Sequence, residues 1–184
     1  MTLQAPSPTS NRDYAWLFAS NVLGVFATGI ATVALALLAF ALAGDDSGIV
    51  LATALSLKMA VNIFIPPVAA AYAASTPRQS WFIFLHLARA IILLMLPLVT
   101  QIYHIYLLII LFETAAAAFR TAYLATVPDM LIDERQYAGA VAKARIAYHI
   151  ESMLSPLLVV GLLFFMDVRG IFIAAVGIFL LAAA

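Results

Sequence analysis

The chain has 184 residues, of which 66% are hydrophobic and 10% charged, with nine basic residues against nine acidic ones. A soluble domain carries roughly 45–50% apolar and about 25% charged residues, so too little polar sequence remains here to cover a globule, and the mean hydropathy of +1.09 points to a polytopic membrane protein. With no cysteine there is neither a disulfide framework nor a thiolate metal site. His86, His104 and His149 fall on separate segments without ligand spacing, and no basic patch offers itself to nucleic acid.

Residues 1–13 are polar and rich in Pro, Ser and Thr, and read as a short disordered lead. The uncharged run behind them is too long for a signal-peptide core. It is expected to be the first membrane helix, about 14–42, ending at the acidic turn GDDSG. On it, Asn21, Gly24, Thr28 and Thr32 recur at helical spacing and form a small, polar stripe. Such a stripe either walls a water-filled cavity or packs closely on another helix, because both uses favour small residues and hydroxyls.

The second helix is expected at about 48–74. Lys58 and Asn62 share a face at i and i+4, and the Pro66-Pro67 pair one turn on should bend or loosen the helix. The third, about 80–100, follows the break STPRQS and carries His86 and Arg89 at i and i+3. The fourth, about 103–124, carries Glu113 near its middle. Arg120 lies two turns beyond Glu113, about 10 Å away, and is expected to anchor at the inner interface. The fifth, about 138–165, places Ala144, Tyr148, Glu151 and Ser155 on one face, and Arg145, His149, Ser152 and Pro156 on another. His149 and Glu151 differ by about 200° around the axis, so they are not one acid–base pair. A bilayer-spanning helix needs about 20 residues, and each of these five is long enough. The sixth, about 170–184, is shorter, roughly 22 Å at 1.5 Å per residue, and stops at LLAAA without a basic anchor, as a truncated chain would.

With the N-terminus in the cytoplasm, Arg12, Arg78, Arg120, Arg135, Lys143 and Arg145 lie at the inner side and Arg169 lies outside. That asymmetry follows the positive-inside tendency; the expected localisation is the inner (plasma) membrane, multi-pass, with the N-terminus cytoplasmic.

Glu113 and Glu151 each sit alone near the middle of a long apolar run, and Lys58 and Arg89 sit at similar depth in two others. A charge at the bilayer centre costs about 2.5–3.5 kcal/mol on insertion scales. Glu113 and Glu151 are therefore the proton-coupling candidates, and Lys58 and Arg89 the candidate counter-charges. Asn21, Thr28, Thr32, Asn62, Tyr148 and Ser155 are the candidate cavity-lining residues. A purely structural set of buried pairs is the competing reading. Nothing clusters as a nucleophile with a base, no phosphate-binding loop occurs, and neither catalysis nor a cofactor is expected.

The stretch YLATVPDMLIDERQYAGAVAKARIAYHIESMLSPLLVVGLL resembles the helix 4–5 region of drug-efflux-like transporters of the major facilitator superfamily. In that family a Pro-Asp…Glu-Arg loop precedes a fifth helix with an Arg-x-Ala-Tyr-Asp-Leu-Glu-Ser-x-x-Ser-Pro-like run. The matching residues are Arg145, Ala147, Tyr148, Glu151, Ser152, Ser155 and Pro156, with His149 where an Asp is common. Ser155-Pro156…Gly161 falls where antiporters of the family carry Gly-Pro-x-x-x-Gly. The loop between helices 2 and 3 departs from the family pattern: Ala74 and Ser75 stand where Asp and Arg are expected, and Arg78 alone keeps a basic residue. The resemblance implies an all-α membrane protein of six transmembrane helices, the N-terminal half of a twelve-helix transporter built from 3+3 inverted repeats. It implies secondary, proton-coupled efflux of a small amphipathic molecule, by a homodimer or with a missing C-terminal half. The alternative is a non-transporting membrane fragment or a small assembly partner.

Overall fold

The computed structural model describes residues 8–75, 77–131 and 133–183. Among them are six α-helices and no strand: α1 (Pro8–Ala43), α2 (Ser47–Ser75), α3 (Arg78–Met95), α4 (Ile102–Met130), α5 (Glu134–Leu163) and α6 (Val168–Ala183). Four stretches are long and apolar enough to cross a membrane: Arg12–Tyr72, which holds both α1 and α2, then Arg78–Leu98, Ile102–Met130 and Glu134–Leu163. This is the pattern of a multi-pass membrane protein. Helix α6 is apolar but shorter than these.

Several boundaries move outward from the sequence expectation. α1 takes in Pro8 to Asp13 of the polar lead, while residues 1–7 lie outside the described residues. α4 continues to Met130, with Pro128 in its last turn, so the polar connection to α5 shrinks to three residues. α5 starts early because Asp133 caps it, its side chain accepting from the Arg135 N–H at 3.2 Å. α2 runs through Pro66 and Pro67 as one helix. The α1–α2 turn is a single 3-10 turn, Gly44–Asp46, and Gly44 has φ +54°, a conformation that a side chain would strain.

Two apolar clusters fix the helix directions. One gathers Ala27 to Ala39 of α1 with Val50 and Ala54 of α2, Ala90 and Leu93 of α3, Ile105 to Phe112 of α4, Val159 of α5 and Ile171 to Phe179 of α6. The other gathers Ala69 of α2, Phe82 and Leu85 of α3, Ala115 to Val127 of α4, and Ala140 and Ala144 of α5, with Tyr14 and Leu17 of α1 packed against it. Each helix from α1 to α5 has opposite ends in the two clusters, so successive helices alternate in direction.

Lipid tails are as apolar as the side chains, so helices associate through close packing rather than through burial of oil from water. Small residues accordingly occupy the contacts: Ala27, Ala31 and Ala34 of α1 and Ala115 to Ala118 of α4 are buried. Large apolar residues such as Met59, Ile63, Phe64, Leu157 and Phe165 face outward, where a bilayer would solvate them.

The helix neighbours form a regular scheme. α1 packs on α5 and α6, α4 packs on α2 and α3, α3 packs on α6, and α1 touches α4. Exchanging α1, α2, α3 with α4, α5, α6 turns the main interfaces into one another, α1–α5 into α4–α2 and α1–α6 into α4–α3, although the α5–α6 contact has no counterpart of similar extent between α2 and α3. Because three helices is an odd number, the second triplet runs opposite to the first.

Candidate functional site

Five of the six helices bring their polar residues to one cavity of about 300 Å³. α1 contributes Gly24, Thr28, Gly29 and Thr32, α2 contributes Lys58, and α3 contributes Arg89. α4 contributes Glu113, Phe119 and Arg120, and α5 contributes Tyr148, Glu151, Ser152, Ser155 and Pro156. Lys58, Arg89, Glu113 and Glu151, far apart in sequence, thus line one cavity.

Lys58 Nζ lies 3.0 Å from Glu113 Oε1, an ion pair joining α2 to α4, with the Glu113 side chain 6% exposed and that of Lys58 34%. Lys58 needs no route to the interface, since its charge is answered within the bundle. On α5, Ser155 donates to Glu151 Oε1 at 3.1 Å. Opposite them stands Gly29 of α1. A Cβ there would overlap Glu151 Oε1 and Ser155 Oγ, so only glycine lets α1 and α5 approach this closely around the carboxylate.

Arg89 is 2% exposed. Its Nε donates to the Leu85 carbonyl at 3.2 Å, its Nη2 to His86 Nδ1 at 2.9 Å, and its Nη1 reaches Thr28 Oγ1 at 3.5 Å. The guanidinium carbon sits 4.7 Å from the Phe119 ring centre and 4.6 Å from that of Phe179. Beyond it, Ser20 Oγ donates to the Ala182 carbonyl at 2.6 Å and lies 2.9 Å from His86 Nε2. The Ser20 proton is thereby committed, so His86 Nε2 must donate to Ser20, and its Nδ1 is left to accept from Arg89, which has only donors. Both ends of this chain require the same neutral tautomer of His86.

The α1 stripe divides. Thr28 and Thr32 line the cavity, but their hydroxyls donate back to the Gly24 and Thr28 carbonyls at 2.7 and 2.8 Å. Only their lone pairs face the cavity. Asn21 is fully enclosed and does not line it. Asn62 also lies off the cavity wall; its Nδ2 donates to the Lys58 carbonyl at 2.8 Å and its Oδ1 accepts from Arg120. Arg120 is turned inward to this contact, not out to the interface as its position along α4 implied. Tyr148 and Ser155 line the cavity, as do Ser152 and Pro156 from the neighbouring α5 face.

Among the described residues no carboxylate lies within 4 Å of Arg89, and the direct ion pair in the cavity is Lys58 with Glu113. Gly29, Phe119, Arg120, Ser152 and Pro156 line the cavity without having been among the candidates. Arg120 carried a signal in its i+7 register with Glu113, which puts both on one face; Gly29, one residue off the stripe, carried none. At the α2–α3 connection Arg78 pairs with Asp129 at the end of α4, both half exposed, a surface pair of the kind worth about 0–1 kcal/mol.

The arrangement can hold water, gather protonatable carboxylates beside cations, and present a guanidinium to a guest molecule. Comparisons with protein-family models, with curated proteins and with solved structures give no match.

Proposed function

We propose that this chain is a six-helix, major-facilitator-like N-terminal half of a secondary transporter in the plasma membrane, and that it moves a small amphipathic molecule coupled to protons. The observation that carries the reading is the convergence of Lys58, Arg89, Glu113, Arg120 and Glu151 from four helices on one cavity. Ionisable residues are expensive inside a bilayer, and where they occur they face cavities and mark ion or substrate pathways. The exchange of α1–α3 with α4–α6 supports the same reading, since transporters of this superfamily nest 3+3 inverted repeats within each half.

Within it, Glu151 is the proton carrier. It is held by one neutral hydrogen bond, from Ser155, and stays free to change charge, whereas Glu113 is committed to Lys58. Thr28 and Thr32 line the path, and the carboxylate beside Gly29 sits where α1 and α5 meet. A homodimer or a second half would close the cavity's open side.

The chain contains no cysteine, so accessibility can be read without background. Cysteine placed at Thr32, at mid-depth, is expected to react with a small hydrophilic thiol reagent in membranes, while cysteine at lipid-facing Met59 is not. Reconstituted chain should also move an amphipathic dye across liposomes when a pH gradient is imposed. A Thr32→Cys variant as unreactive as Met59→Cys, with no dye movement, would refute the transport reading in favour of a non-transporting bundle.

A further inference from the structure

The cavity's charges do not balance. Three cations line it, Lys58, Arg89 and Arg120, against two acids, Glu113 and Glu151. Lys58 and Glu113 cancel at 3.0 Å, and Glu151 is engaged by a neutral hydroxyl. Among the described residues neither Arg89 nor Arg120 has a carboxylate within 4 Å.

Every hydrogen-bond and ring partner in contact with Arg89 is neutral: the Leu85 carbonyl, the Nδ1 of a neutral His86, the Thr28 hydroxyl at the long distance of 3.5 Å, and the faces of Phe119 and Phe179, with Glu113 acting on it only from beyond ion-pair distance. Arginine cannot shed its proton in a protein, so the charge remains. Arg120 spends a donor on the Asn62 side-chain carbonyl, which is also neutral. A cation that is 2% exposed and unmatched by an acid is costly unless something answers it.

From this geometry we infer that the transported molecule carries an anionic group, a carboxylate or sulfonate, that seats on Arg89 and Arg120. The inference rests on the transport reading and names its substrate class. Guanidinium forks match planar carboxylates with paired hydrogen bonds, and Arg89 retains N–H donors beyond those its neighbours use. Phe119, stacked on the Arg89 guanidinium and lining the same cavity, is the apolar wall beside the anion. A second, apolar cavity shares Thr32, Lys58 and Glu113 with the first and is lined by Leu35, Leu51, Leu55, Ile109 and Phe112. An amphipathic acid would put its charge at the arginines and its hydrocarbon toward this chamber, past the Lys58–Glu113 pair.

The test compares isosteric guests on purified chain in an uncharged detergent. Isothermal titration with 1-naphthoate, octanoate, 1-naphthamide and 1-naphthylmethylamine should find an acid bound at least about tenfold more tightly than the amide or the amine, the scale of one charge-assisted hydrogen bond. Arg120→Gln, at a half-buried position, should remove that preference while circular dichroism stays unchanged. Arg89→Gln should do the same if it folds. Preference for the amine, parity between acid and amide, binding of neither acid, or an acid preference that survives Arg120→Gln in folded protein would each overturn the proposal. Acid binding without pH-driven movement would keep the anion site and sink transport. Movement of amine or amide in preference to acid would keep transport and sink the anion site.

Discussion

Removing one member of the Lys58–Glu113 pair should cost far more than removing both. At 3.0 Å and an effective dielectric of about 20, the attraction is roughly 5 kcal/mol. Desolvation offsets part of it, and breaking a buried pair by deleting one partner costs about 3–5 kcal/mol because a buried charge is left alone. The two ends are not equivalent. The Glu113 side chain is 6% exposed and that of Lys58 34%, so an orphaned Lys58 can draw water from the cavity more readily than an orphaned Glu113. Lys58→Met should therefore be the worse single change, near about 4 kcal/mol, with Glu113→Leu nearer about 3 kcal/mol. The double change should come out within about 1 kcal/mol of the parent, since a well-packed apolar replacement of an ion pair is often neutral or stabilising. Unfolding in mixed micelles, followed by far-ultraviolet circular dichroism, gives all four corners of the cycle. Losses that simply add, with a coupling energy below about 0.5 kcal/mol, would refute the view that this pair ties α2 to α4.

Gly29→Ala should destabilise by about 1–3 kcal/mol through overpacking, because the new Cβ overlaps Glu151 Oε1 and Ser155 Oγ; a variant with parental melting temperature would contradict the close α1–α5 approach. Glu151→Gln should leave expression and substrate binding near parental yet abolish pH-driven transport, measured in proteoliposomes, and normal pH-driven transport by this variant would remove Glu151 from the proton path. Cysteine at Ser47, beside the α1–α2 turn, should react with an impermeant reagent added outside intact cells and cysteine at Ser80, at the start of α3, should not; the reverse pattern would invert the topology drawn from the basic residues.

Helix content and spacing were local matters, and a single chain states them plainly. Continuous apolar runs interrupted by GDDSG, STPRQS and the acidic stretch around Asp133 mark the helices, because hydropathy and helix breaking act over a few residues. For the same reason Lys58, Arg89, Glu113 and Glu151 stood out, each being a charge far from either end of an oily run. The alternation of direction followed from the short connections.

Only the tertiary structure decided who faces whom. Periodicity places Lys58 and Arg89 on helix faces, but the rotation and axial register of one helix against another come from packing of side chains across them. That packing matched Lys58 to Glu113, left Arg89 among neutral partners, and turned Arg120 inward to Asn62. It enclosed Asn21 and kept Thr28 and Thr32 on the cavity wall, though all three belong to one stripe. Gly29 shows the limit most clearly: a glycine in an apolar helix has no local signature of function, and its role exists only because α5 brings a carboxylate against it.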